Sequence, residues 1–144
     1  VIMAKPKKPP APPPLTENEV QKAVFKHLRT RGAPGVFAFH PKNGGVHQRG
    51  RARGINAGLG VVSGVPDIVV CKLLEWNASP EARARFGQFY CLELKRTPKD
   101  IPSDEQFAVL ARLEACGAIC GVAYGLDDAI HWLEGNGLLK GRAG

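Results

Sequence analysis

The stretch QFYCLELK, residues 88–95, decides the fold. Its aromatic and apolar residues favour a strand, in which side chains alternate between two faces. Glu93 and Lys95 therefore share one face, while Tyr90, Leu92 and Leu94 share the other. For a lone Glu-x-Lys the ordinary explanation is a solvated strand face with a weak ion pair. What lies on either side of the strand argues for more.

Upstream, DIVVCKLL (67–74) has the same strand character, and a polar connection containing Pro80 and Gly87 separates the two runs. Pro66 cannot donate a ladder hydrogen bond, so it suits the first position of a strand and leaves Asp67 at the strand's mouth. If the two strands are neighbours, Asp67 and Glu93 converge on one cation. Two hard carboxylate oxygens suit magnesium, which keeps several waters and takes only one or two protein carboxylates.

Two helices frame these strands. Thr16 is a helix N-cap with Glu19 three residues on, and good helix formers run from there to Gly32. On the helical wheel Val20, Gln21, Val24 and Leu28 form one arc. Glu17 falls inside that arc and Glu19 opposite it, which assigns Glu19 to the cap and turns Glu17 toward the sheet. Ser103 caps a second helix to about Cys116. There Gln106 completes a second capping box and also sits in an apolar arc with Leu110 and Leu113, so a purely capping role and an inward-facing role are both open. VFAFH (36–40) and AICGVAYG (118–125) add two strands, and residues 127–134 a last helix. The order is αβββαβα, an α/β chain with one central mixed four-stranded sheet flanked by helices.

At 144 residues the chain suits one domain, residues 16–144, behind a Pro- and Lys-rich tail over 1–15 that is expected to be extended and mobile. Met3 is the expected natural start. The formal charge of +7 points to a polyanionic partner. It is concentrated between Val20 and Pro66, where Lys22, Lys26, Arg29, Arg31, Lys42, Arg49, Arg51 and Arg53 meet no Asp or Glu. The Gly- and Arg-rich loop there, with Lys42, Asn43, Arg49, Arg51 and Arg53, is suited to gripping a phosphate backbone, since glycines let the main chain approach closely. It is not a P-loop, because no Gly-Lys-Ser/Thr follows.

The four cysteines form no CxxC pair and are expected as buried free thiols in a reducing cytoplasm. No signal peptide is visible and no apolar run approaches the length needed to cross a bilayer, so a cytoplasmic protein is expected. His40 and His47 flank the basic loop and are left out of catalysis, a lone histidine being more often structural or exposed. Trp132 and Phe107 are expected in the core.

Taken together, TENEVQKAVFKHLRTRG, PKNGG, GVPDIVV, LELK and SDEQFAVLARLEACG, in this order over about residues 16–134, resemble the VRR-NUC domain family of the PD-(D/E)xK nuclease superfamily. The resemblance implies a restriction-endonuclease-like core and a Mg²⁺-dependent DNA endonuclease, with Mn²⁺ able to substitute. It implies that Asp67, Glu93 and the backbone carbonyl of Leu94 bind the metal. Lys95 would orient the attacking water or stabilise developing charge, Glu17 would act on the metal through water, and Gln106 would match the family's helix glutamine. It also implies branched DNA, such as four-way junctions, as substrate. A homodimer is expected, because one small domain has little room to grip a junction. The alternatives are a flap- or restriction-like nuclease on the same fold, and a non-catalytic nucleic-acid-binding module. Clustered acids beside phosphate argue against the latter.

Overall fold

The structure is a computed structural model, and it describes residues 10–42, 58–74 and 87–141. The elements run α1 (Glu17–Arg31), β1 (Val36–Phe39), β2 (Ile68–Leu73), β3 (Gly87–Lys95), α2 (Asp104–Ala115), β4 (Ile119–Tyr124) and α3 (Leu126–Gly135). This is the expected αβββαβα order, with element ends within a residue or two of the sequence reading.

Both capping boxes form. The Thr16 hydroxyl accepts from the Glu19 amide while the Glu19 carboxylate accepts from the Thr16 amide at 2.8 Å. Ser103 and Gln106 exchange the same pair of bonds at the start of α2. Each box satisfies amides that the first turn of a helix leaves without partners.

The four strands form one sheet in the order β1-β2-β3-β4. The pairs β1/β2 and β2/β3 are antiparallel and β3/β4 is parallel. A parallel pair needs a crossover, and α2 supplies it. On one face of the sheet Ile68, Val70, Tyr90, Leu92, Leu94 and Ala123 pack beneath α1 and α3. From α1 come Val20, Val24 and Leu28, one residue per turn, and from α3 come Ala129, Ile130 and Leu133. An ion pair of 2.6 Å between Arg31 and Glu134 joins the C-terminal ends of these two helices.

Gly121 of β4 admits Trp132 of α3 onto the sheet. A Cβ at Gly121 would lie 2.3 Å from the indole nitrogen of Trp132, whose ring also meets Tyr90 edge-on with centroids 6.3 Å apart. Three atoms of the indole would lie within 3.0 Å of that Cβ, and the ring packs on the core, so Gly121→Ala is expected to destabilise the fold by about 1–3 kcal/mol, the usual cost of overpacking. Chemical denaturation of the two proteins measures it, and equal midpoints would refute the close packing.

Three expectations change. Phe107 is exposed, not core: the buried stripe of α2 passes through Gln106 and Leu110, and Phe107 lies one position off it. Among the cysteines only Cys91 is buried; Cys71 and Cys120 are half-buried, and Cys116, at the C-cap of α2, is exposed. Asp67 stands just outside β2, whose ladder starts at Ile68. Trp132, by contrast, does pack against the core. Among the described residues no helix is long and apolar enough to cross a membrane.

Candidate active site

The β2/β3 register brings the two expected carboxylates together. Ile68 pairs with Leu92, so one further antiparallel step sets Asp67 beside Glu93. Residues directly opposite in an antiparallel pair project on the same side, here the face away from α1 and α3. Leu94 would next face Pro66, which lies beyond the end of β2. The Asp67 side chain fills that gap: its Oδ2 accepts from the Leu94 amide at 2.8 Å. The loop residue thus extends the ladder by one bond while its carboxylate stays at the site.

Among the described residues Glu93 and Lys95 are the only charged side chains that are buried, 1% and 9% exposed. The Lys95 ammonium donates to Glu93 Oε1 at 2.9 Å, and the Gln106 amide donates to the same oxygen. Gln106 therefore does both things left open by its sequence position: its oxygen caps α2 and its nitrogen holds Glu93. The other carboxylate oxygen, Glu93 Oε2, is buried without a hydrogen bond among the described residues. Such an atom is costly in an apolar interior and calls for a partner.

Burial pushes the Glu93 carboxyl up from 4.5 to about 7; the Lys95 hydrogen bond opposes this, and the nearby negative charges of Asp67 and Glu17 reinforce it. For Lys95, burial works against the charged form, but the bond to Glu93 and the charges of Glu93, Glu17 and Asp67 outweigh it and raise the ammonium above its ordinary value. The lysine is held as a cation in a pocket of negative charge, and the glutamate stands ready to exchange its proton for another positive partner.

Two further contacts hold the frame. Gly64, at φ +79°, lies where a Cβ would come within 2.8 Å of the Glu105 backbone and 2.9 Å of the Gln106 nitrogen. The loop that delivers Asp67 is thereby seated on the first turn of the helix that delivers Gln106, a close approach only glycine permits. His40, just past β1, places its Nδ1 2.6 Å from the Asp67 carbonyl oxygen. Sequence reasoning set this histidine aside. Its signal was positional: in an antiparallel pair the end of β1 meets the start of β2.

Glu17 sits in the first turn of α1 with its side chain exposed. Its charge reaches Glu93 and Lys95, and it borders a groove with Thr16, Asn18, Arg96 and Asp100. Lys42 is exposed, and Asn43, Arg49, Arg51 and Arg53 lie outside the described residues. No three His, Cys, Asp or Glu side chains converge on a metal position among the described residues.

No family model matches the chain by sequence, nor does any curated protein. Solved structures do match. One described as a VRR_NUC domain protein aligns over 84% of this chain and 87% of its own, with a TM-score of 0.57 and 20% identity. A second, described as a VRR_NUC domain, aligns over 83% of this chain and 97% of its own, with a TM-score of 0.50 and 21% identity. The chain has the VRR_NUC fold. Within this VRR_NUC architecture Asp67, Glu93, Lys95 and Gln106 meet at one end of the sheet, where β3 ends, β2 begins and α2 starts.

The residues present fit a hard divalent cation. Glu93 Oε2 is a buried oxygen donor with no partner, and Asp67 presents a second carboxylate beside it. Both donors are carboxylate oxygens, the ligand type that a hard cation takes.

Proposed function

We propose that this chain is a metal-dependent DNA endonuclease of the VRR-NUC family, acting on branched DNA such as four-way junctions. The observation that carries the reading is the buried Glu93 beside Lys95 and Asp67, with one carboxylate oxygen left free. A structural ion pair gains nothing from such an oxygen, since leaving a polar atom unpaired in the interior is a net cost.

A phosphodiester repels nucleophiles through its own charge. Asp67, Glu93 and the Leu94 carbonyl would hold magnesium, or manganese in its place, which would supply Lewis-acid chemistry toward the phosphate and toward water. The protein's own groups do the rest. Lys95 places a fixed positive charge where negative charge grows in the transition state. Gln106 holds Glu93 Oε1 and so keeps Oε2 aimed at the site, and Leu94 does the same for Asp67 through its amide. Glu17, at the rim, orients water. A junction offers arms on two sides, so the active form is a homodimer, each copy addressing one strand.

The test is cleavage of labelled duplex, single strand, flap and four-way junction in Mg²⁺ and in EDTA. Preferential incision of the junction, lost in EDTA, is the expected result. Preferential cutting of flaps or plain duplex would move the substrate to the flap- or restriction-like class. Binding with no cleavage in either Mg²⁺ or Mn²⁺ would leave a binding module and defeat the nuclease reading.

A further inference from the structure

Beside α1 runs a groove of about 410 Å³ lined by Asn18, Gln21, Lys22, Phe25, Arg29 and His40. Asn18, Lys22, Phe25 and Arg29 follow one another at steps of four, three and four, the spacing that puts side chains on one stripe of a helix. Phe25 packs on the core and forms the floor, while Lys22 and Arg29 stand exposed along the rim. Among the described residues no carboxylate lines the groove. Glu19, whose charge Lys22 feels, is occupied by Thr16, and neither Lys22 nor Arg29 forms an ion pair among the described residues.

The groove leads to the site at two points. Asn18 also borders the groove containing Glu17, Arg96 and Asp100, so the two adjoin at this residue. His40 forms its wall and is tied to Asp67. Because a carbonyl oxygen only accepts, the shared hydrogen sits on Nδ1, leaving Nε2 as the ring atom open to a ligand.

We infer that the α1 groove carries the phosphate backbone of the bound DNA strand to one side of the scissile bond, with Lys22 and Arg29 each contacting a phosphate. This rests on the nuclease reading and adds to it a binding surface built on α1, from residues other than the basic ones over 42–53. Seven residues of helix set the two cations roughly 10 Å apart along the axis, about three nucleotides of a B-form strand at 3.4 Å each. The groove is thus long enough to fix the direction in which the strand leaves the site.

The experiment is a salt series of DNA binding in EDTA, using the full chain and a labelled four-way junction. Each lost phosphate contact lowers the slope of log K against log salt by about 0.9. Lys22→Gln/Arg29→Gln is expected to lower it by nearly two, with affinity down on the order of tenfold or more at low salt. The control is Arg112→Gln/Lys140→Gln, which removes the same charge from α2 and the C-terminal segment and is expected to keep the wild-type slope. An unchanged slope in the groove variant, or equal losses in both, overturns the inference while the nuclease reading stands. A wild-type chain that binds no DNA in EDTA overturns the inference, and one that in addition cuts no DNA in Mg²⁺ or Mn²⁺ overturns both.

Discussion

Asp67→Asn keeps the fold and removes DNA cleavage. The amide has the shape of the carboxylate and still offers an oxygen to the Leu94 amide, so the bond of 2.8 Å that closes the β2/β3 ladder is retained. What is lost is the negative charge beside Glu93, and with it half of the carboxylate pair that attracts a divalent cation. Cleavage in Mg²⁺ is expected to fall by about 10²–10³-fold or more, the order seen when a principal electrostatic element is taken from an active site. Asp67→Ala loses the hydrogen bond as well and is expected to be less stable than Asp67→Asn by about 1 kcal/mol. Cleavage assays and denaturation curves of both variants separate the two roles. Wild-type cutting by Asp67→Asn would place the site elsewhere.

Cation affinity is expected to collapse in mild acid because of Glu93. Its carboxyl titrates at about 7 in the folded protein against 4.5 ordinarily. Between those values the metal-free fold binds more protons than the unfolded chain, so this group's contribution to stability falls as pH rises through the window. At about 1.4 kcal/mol per unit the contribution is on the order of 3 kcal/mol. A divalent cation at Glu93 competes with the proton. Below pH 7 its apparent affinity should drop by about tenfold per unit, and above pH 7 it should level off. Calorimetric titration with Mn²⁺ at several pH values, in buffers of different ionisation enthalpy, reads both the affinity and the proton released. An affinity flat from pH 5 to 8 would show that Glu93 does not hold the ion.

Much of this site could be read along the chain. The alternation in LELK put Glu93 and Lys95 on one side, and Thr16 with Glu19, and Ser103 with Gln106, announced where α1 and α2 begin. Gln106 shows where such reasoning stops. Capping and an inward role look like competing assignments in one dimension, yet a single amide uses its oxygen for one and its nitrogen for the other. Phe107 shows a different failure. Aromatic character suggested core, but one residue along a helix turns a side chain by about 100°, and the stripe through Leu110 leaves it in water. His40 carried no local signal at all, since its partner is a backbone oxygen 27 residues away.

What the sequence by itself determined are features with short range: caps, strand alternation, the apolar stripe of α1, and the residue types able to hold a hard cation. These depend on spacings of two to four residues, which backbone geometry turns directly into faces and ends. Only the tertiary structure decided that β2 and β3 are antiparallel neighbours in the register that sets Asp67 against Glu93. Only it decided that Gly64 docks on α2, and that Glu93 is buried deeply enough for its carboxyl to rise to about 7. Proximity between distant segments and the removal of water from a charge are properties of packing, and no local pattern encodes them.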